Sequence, residues 1–306
     1  MKGALSVLPS EILKGACDMH VHSGPALVPR GFDHIEVVRA CVEAGMRALV
    51  IKDQHVPSGN VAQIVQKYFV KPEENFNVYG GLILGNTQGG ISPAVVEAAI
   101  GYDTKVIWMP VLSSAYHKER SALMNAKAMS TMPKPKYPLK FNPPQTIIDS
   151  CGKLLPEVVD ILKLIADADI VLATGHINPK TEIPPLLEEA VRQGVKKIVV
   201  THPEFFKDHT VAEMKAYSDA GFYVEHILAT IYSNKQTYDE LFEMIENGGD
   251  NVIISSDLGQ VGRPNPAAGL TAFIEEMQKR GMADSTLRRI MCDNQRKLLN
   301  LEPYKN

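Results

Sequence analysis

The chain has few cysteines and a single tryptophan among its 306 residues. The four cysteines are scattered, and no Cys-x-x-Cys pair occurs. This pattern argues against a disulfide framework and against a thiolate zinc knot, and it fits a reducing compartment. Residues 1–11 show no signal-peptide pattern, so the cytoplasm is the expected location.

Long apolar runs and clusters of basic residues are also missing. No stretch approaches the length that crosses a bilayer, and the net charge is −3. These two features predict neither a membrane nor a nucleic-acid partner and leave a small-molecule substrate as the expected ligand. The hydrophobic content of 45% supports one large core, so residues 1–306 are expected to form a single domain. A homo-oligomer is compatible with the sequence.

Short apolar runs alternate with segments of helical periodicity along the whole chain. The predicted strands are 16–22, 48–52, 77–84, 105–109, 170–174, 197–201, 222–226 and 251–255. The predicted helices are 5–13, 33–44, 61–69, 93–100, 156–167, 184–193, 211–220, 238–246, 270–280 and 286–299. Eight strand–helix units in this length favour the α/β class and a (β/α)8 TIM-type barrel. A doubly wound open sheet is the competitor, but no Gly-x-Gly-x-x-Gly follows the first strand.

The segment 110–145 separates the fourth predicted strand from the next helix. A stretch of this length is uncommon inside a compact domain unless it serves as a lid or a binding loop. We therefore predict a lid insertion at 110–145.

The first predicted strand ends on the sequence Asp18-Met19-His20-Val21-His22. Alternate residues of a strand share a face, so His20 and His22 are expected to project together, with Asp18 on the same side. Two imidazoles that converge at a strand end suit a divalent metal such as zinc.

Further residues of the types that ligate metals stand at the ends of later predicted strands. They are His176, His202, Glu225 and Asp257, after or in the fifth to eighth strands. The active site of a barrel forms at the carboxyl ends of its strands, so these side chains are expected to gather at one rim. The sequence thus predicts one or two divalent metal ions, with zinc favoured and manganese or iron as alternatives.

In its order and spacing, this pattern resembles the amidohydrolase superfamily. The residues that carry the resemblance are Asp18 to His22, Thr174-Gly175-His176, Thr201-His202-Pro203 and Ser256-Asp257. Within the superfamily the chain is most similar to the uncharacterised amidohydrolase-2-like and TatD-like proteins.

The resemblance also implies roles for the individual residues. His20 and His22 would bind a first metal. His176 and His202 would bind a second one, or one of them would ligate while the other contacts substrate. Asp257 would be both a ligand and the general base.

One position departs from the superfamily pattern. Binuclear members carry a bridging ligand at the end of the fourth strand, where this chain has Ile107-Trp108-Met109-Pro110. Lys52 could supply the bridge as a carbamate, or bind an anionic substrate as a plain cation. Glu225 could also supply it, or it could pair with a histidine and orient it. Alternation places His226 on the opposite strand face from Glu225, outside the site.

Three other residues near the expected rim are weaker candidates. His55 and His117 could bind substrate or complete a metal shell, or they could be ordinary loop histidines. Arg263 could clamp a carboxylate or phosphate, or it could be a solvated surface arginine.

The predicted function is that of a metal-dependent hydrolase. A metal-activated water would attack an amide, lactone or other ester, or phosphoester bond of a small molecule. The alternatives are a metal-dependent decarboxylase, a lyase on the same scaffold, and a barrel that binds metal or ligand without turnover.

Overall fold

Eight parallel strands form the centre of the molecule. The computed structural model describes residues 7–123, 135 and 137–304. The strands are β1 (Cys17–Val21), β2 (Ala48–Ile51), β3 (Asn77–Ile83), β4 (Val106–Trp108), β5 (Val171–Ala173), β6 (Ile198–Val200), β7 (Tyr223–Ile227) and β8 (Val252–Ser255). They pair in chain order, and every neighbouring pair is parallel.

The first and last strands meet and close the sheet. The Asp257 amide donates to the His20 carbonyl at 2.8 Å, and the His22 amide donates to the Leu258 carbonyl at 2.8 Å. Both hydrogen bonds lie at the carboxyl ends of β1 and β8, so closure joins the two segments that carry the predicted ligands His20, His22 and Asp257. The predicted (β/α)8 barrel is confirmed.

Helices follow the strands around the outside of the barrel. They are α1 (Pro9–Leu13), α2 (His34–Glu43), α3 (Gly59–Phe69), α4 (Pro93–Gly101), α5 (Ala115–Leu123), α6 (Pro156–Asp167), α7 (Ile183–Arg192), α8 (Val211–Asp219), α9 (Ala229–Tyr232), α10 (Tyr238–Asn247), α11 (Pro266–Lys279), α12 (Asp284–Arg288) and α13 (Asn294–Leu298). A π-helical turn at Arg289–Asp293 joins the last two. Short 3₁₀ turns occur at Pro72–Glu74 and Asn86–Gln88.

Capping boxes set the starts of three helices. Thr210 accepts from the amide of Glu213, whose carboxylate accepts from the Thr210 amide in return. Asp33 with Glu36 does the same before α2, and Thr237 begins α10 in the same way. Each box satisfies two amides that the first turn of a helix leaves without partners.

A bulge in β1 changes which side chains point into the barrel. Cys17 and Met19 pack in the interior cluster, whereas Val21 packs between the sheet and the helices. The register with β2 shifts between Asp18 and Val21, so one extra residue reverses the alternation. The prediction that Asp18 shares a face with the two histidines is therefore wrong. Its carboxylate instead accepts from the amides of His20 and Ser256.

The segment predicted as a lid is partly helical. It contains α5, and its far end returns to its start, where the Gln145 amide donates to the Ser113 carbonyl at 2.8 Å. Residues 124–134 and 136 lie outside the described residues, so a lid at 110–145 stays a prediction. Within the described residues, no helix is long and apolar enough to span a membrane.

Candidate metal centre

His20, His22 and Asp257 converge where β1 meets the end of β8. The Oδ1 atom of Asp257 lies 3.2 Å from His20 Nε2 and 2.9 Å from His22 Nε2. All three residues are buried. The sequence of β1 and the bulge together bring both rings to the mouth of the barrel.

Each of these two imidazoles has an acceptor behind it. Nδ1 of His20 lies 3.3 Å from both carboxylate oxygens of Glu225. Nδ1 of His22 lies 2.6 Å from the carbonyl oxygen of Lys52. A carbonyl or ionised carboxylate oxygen can only accept, so each Nδ1 donates, and in the neutral ring each Nε2 presents a lone pair towards Asp257.

The His22–Asp257 contact lacks a proton between its two atoms. Burial lowers the pKa of His22 to about 3, so its ring holds only the Nδ1 proton at neutral pH. Burial alone would raise the pKa of Asp257, but the positive charge that the neighbouring His20 ring can carry holds it well below its usual range. Two lone pairs therefore face each other at 2.9 Å. This arrangement favours a cation between or beside them.

His20 differs from His22 in its charge environment. Burial and the Lys52 ammonium lower its pKa, but the carboxylates of Asp257 and Glu225 outweigh them and raise it overall. The His20 ring therefore lies where positive charge is stabilised. We call His20, His22, Glu225 and Asp257 the carboxylate half of the site.

His117, His176 and His202 form a second group, which we call the imidazole half. Nε2 of His176 lies 3.2 Å from Nε2 of His202, and its Nδ1 lies 2.5 Å from Nδ1 of His117. The rings of His117 and His176 are stacked with centroids 4.7 Å apart. Burial lowers the pKa of His117 and of His202 to about 4 and lowers that of His176 well below its usual range. All three rings are therefore neutral.

The two halves meet at His202. One ligand atom each from His20, His202 and Asp257 lies within 4.8 Å of the other two. The backbone φ is +24° at His202 and +48° at Asp257, a region that side chains other than glycine rarely occupy. Such strain costs about 1–3 kcal/mol and is concentrated at functional sites.

Lys52 and Trp108 occupy the floor of the site. Lys52 Nζ lies 3.0 Å from His20 Nε2 and 4.8 Å from the centroid of the Trp108 ring. Burial lowers the pKa of Lys52 to about 8. The indole fits because Gly81 on β3 has no side chain, since a Cβ there would lie 2.3 Å from the ring. Trp108 thus fills the position at the end of β4 where the superfamily pattern places a bridging ligand.

Of the remaining candidates, Glu225 and His117 contact the histidines of the cluster. Glu225 lies behind His20, which fits the orienting role better than a bridge. His117 joins the imidazole half, and His55 is buried beside Asp53, whose carboxylate accepts from its amide. Arg263 lies in the loop after β8, and its amide donates to Gln260.

Sequence reasoning missed two features of the mouth. Arg30, in the loop after β1, approaches His22 with a guanidinium nitrogen 3.4 Å from Nδ1. A cavity of about 420 Å³ lies beside the imidazole half, lined by Phe205, Phe206, Lys235 and residues of α5. Arg30 and the residues that line the cavity belong to no recognisable motif. Only the short distance in sequence between Arg30 and the end of the first strand could have indicated that Arg30 lies near the site.

The residues present fit a divalent metal. Neutral imidazole nitrogens and a carboxylate oxygen are the ligands that zinc, manganese and iron take in proteins. Acceptors behind the ligating rings are the usual support of such a site.

Solved structures of other proteins share this fold. Solved structures with the same fold include an amidohydrolase from Pseudomonas aeruginosa, with 12% identity, coverage of 96% of this chain and 98% of that one, and a TM-score of 0.60. The probable dipeptidase PvdM from Pseudomonas aeruginosa gives 12% identity, 95% and 96% coverage, and a TM-score of 0.63. A dihydroorotase from Campylobacter jejuni gives 15% identity, 96% and 85% coverage, and a TM-score of 0.53. The resemblance to the amidohydrolase superfamily is confirmed at the level of the fold.

Sequence comparison assigns the chain to one protein family. Residues 15–225 match the Family of unknown function (DUF6282), and the chain belongs to that family. The match runs from two residues before β1 into β7, so it includes every candidate ligand except Asp257. No curated protein matches the chain.

Proposed function

We propose that this protein is a metal-dependent hydrolase that cleaves an amide, ester, lactone or phosphoester bond of a small molecule. One observation carries the proposal: Nε2 of His20 and Nε2 of His22 lie 3.2 Å and 2.9 Å from the same carboxylate oxygen of Asp257, with a ring nitrogen of His202 alongside. A cation is the species that this set of lone pairs accommodates. The fold that this chain shares with an amidohydrolase, a probable dipeptidase and a dihydroorotase also supports a hydrolytic function.

The chain's own residues would hold and activate the reactants. His20, His22 and Asp257 would hold the metal, with His202 within reach. When bound, a divalent cation supplies Lewis acidity, which lowers the pKa of water and polarises a carbonyl or phosphoryl oxygen. Asp257 is ionised and at the mouth of the barrel, so it can accept a proton from water and return it to the leaving group.

Glu225 and Lys52 would set the electrostatics around that chemistry. The Glu225 carboxylate fixes the His20 ring through Nδ1 and keeps Nε2 directed at Asp257. The Lys52 amine, 3.0 Å from His20 Nε2, is placed to attract an anionic group of the substrate or, after carbamylation, to act as a further ligand.

The experiment that tests this function is a turnover screen with metal as the variable. Purified protein is supplied with zinc, manganese or iron, or treated with a chelator, and assayed on a panel of amides, esters, lactones and phosphoesters. We expect hydrolysis of at least one class by the metal-replete protein and its loss on chelation. Release of carbon dioxide from a carboxylic acid in the panel would identify a lyase instead. No turnover of any member by metal-loaded protein would contradict the proposal.

A further inference from the structure

The loop between β1 and α2 holds an arginine in a fixed position at the mouth of the barrel. Both ends of this loop are tied together, because the Gly24 amide donates to the Phe32 carbonyl at 2.9 Å and the His34 amide donates to the Gly24 carbonyl at 2.8 Å. The Gly31 amide donates to the Gly259 carbonyl in the loop after β8. The backbone on either side of Arg30 is therefore anchored to the two segments that carry His22 and Asp257.

The Arg30 guanidinium has no acceptor among the described residues. Its Nε is buried without a hydrogen-bond partner, and it forms no ion pair within 4.0 Å in the described part of the chain. The nearest polar contact, to His22 Nδ1 at 3.4 Å, is not a hydrogen bond, since that nitrogen donates to the Lys52 carbonyl.

The nearby carboxylates do not neutralise Arg30. Asp53 and Asp257 are close enough to raise the pKa of Arg30, but burial outweighs them. Asp53 Oδ1 accepts from the amides of His55 and Val56, and Asp257 faces the two histidines. A partly buried guanidinium whose Nε lacks an acceptor is unfavourable to a fold, so its place at the mouth of the site points to a ligand that supplies an anion.

One further group near Arg30 lacks a partner. His55 Nδ1 is buried without a hydrogen bond to described residues. His55 follows β2, next to Asp53, and Arg30 is close enough to lower the pKa of His55 after the larger effect of burial. A donor arginine with a histidine beside it is the kind of lining that fixes the orientation of a polar ligand.

We propose that Arg30 binds a carboxylate of the substrate, and that this carboxylate lies one or two atoms from the bond that is cleaved. The adjacent Nε–H and NH₂ donors of a guanidinium match the two oxygens of a carboxylate. Arg30 lies beside the His22 ring whose far nitrogen faces Asp257, so its ligand is held next to the reacting centre. The inference rests on the proposed function in naming the ligand as a substrate, but its test measures binding.

The test uses matched small molecules and metal-loaded protein, with binding followed by ligand-observed NMR. The probes are N-acetylglycine, N-acetylalanine and 3-hydroxybutyrate, each paired with its primary amide, together with (acetamidomethyl)phosphonate. We expect the acids to bind in preference to their amides. Arg30→Met should weaken binding of the acids at least about tenfold, because a charge-assisted pair is lost.

Two further variants serve as controls for the binding measurement. Arg30→Lys keeps the charge but loses the paired donors, so binding should fall to an intermediate level, and it decides the question if Arg30→Met does not fold. Arg192→Gln removes an exposed arginine on α7 that pairs with Glu189 and should leave binding unchanged.

Several outcomes would overturn the assignment. They are equal binding of acids and amides, undiminished binding of acids to both Arg30 variants, the absence of any binding acid, and a preference for the phosphonate over the carboxylates. A protein that binds the acids through Arg30 but hydrolyses nothing would instead refute only the proposed reaction.

Discussion

The two halves of the site use the same side chain in opposite settings. In the carboxylate half, His20 and His22 each have an acceptor behind one nitrogen and a carboxylate oxygen in front of the other. In the imidazole half, the polar side chains in contact with the nitrogens of His176 are two more imidazoles. The first arrangement fixes tautomers and concentrates negative charge, and the second does neither. A metal centre therefore depends on what surrounds the histidines more than on their number.

The largest expected effect comes from the carboxylate that faces both rings. Asp257→Asn keeps the shape of the side chain but removes its charge and its ability to accept a proton. We expect kcat/KM to fall by about 10³-fold on whichever substrate the metal-replete enzyme cleaves. Steady-state kinetics measures this loss, and near-normal turnover would refute the role of Asp257.

A second substitution tests the packing between the end of β1 and the loop after β8, the two segments that close the barrel. At Gly259, where φ is +128°, a Cβ would lie 1.7 Å from the His22 carbonyl oxygen. Gly259→Ala should lower the free energy of unfolding by about 3 kcal/mol or more. Gly262→Ala is the matched control, because Gly262 has φ of +78° but no neighbour within 4 Å of a Cβ, and it should cost about 1–2 kcal/mol. Denaturant unfolding compares the two, and equal losses would show that the contact with His22 has no special weight.

The Glu225 carboxylate, which lies behind His20, should affect the affinity for the metal. Glu225→Gln should weaken metal affinity by about 10–100-fold, as the loss of an orienting carboxylate does elsewhere. Glu204→Gln is the matched control, since Glu204 also pairs with a buried histidine, His226, at 3.1 Å. Competition with a chelating dye measures both affinities. If Glu204→Gln weakened metal affinity as much as Glu225→Gln, the orienting role of Glu225 at the metal would be refuted.

The smallest effect is expected in the imidazole half. His117→Asn should leave the metal content of the purified protein unchanged, because its nearest polar neighbour is another neutral imidazole. His22→Asn in the same assay should remove most of the bound metal. If the two variants lost metal equally, both halves would have to hold ions.

The sequence predicts the barrel well because its evidence is local. Buried parallel strands are short apolar runs, and most helices carry an apolar stripe, so every predicted strand lies within two residues of an observed one. Two helices are not predicted, namely α5 and the single-turn α9. None of the side chains of α5 is buried, so α5 lacks the stripe that reveals a helix. The candidate residues at strand ends follow from the same reasoning, because a barrel brings those ends together.

The rest of the site depends on contacts between distant segments. The bulge that separates Asp18 from His20 appears only in the pairing of β1 with β2. Arg30 lies in a loop with no periodicity, and its position depends on hydrogen bonds to the loop after β8. Such contacts join residues that are far apart in the chain, and no local pattern encodes them.

The most direct test of this account is the metal content per chain, measured by elemental mass spectrometry on protein purified without chelator or nickel affinity resin. The carboxylate half predicts close to one zinc, manganese or iron ion per chain, which His22→Asn removes. Protein that contains no metal, and takes up none on reconstitution, would contradict the account and leave the facing lone pairs of His22 and Asp257 unexplained.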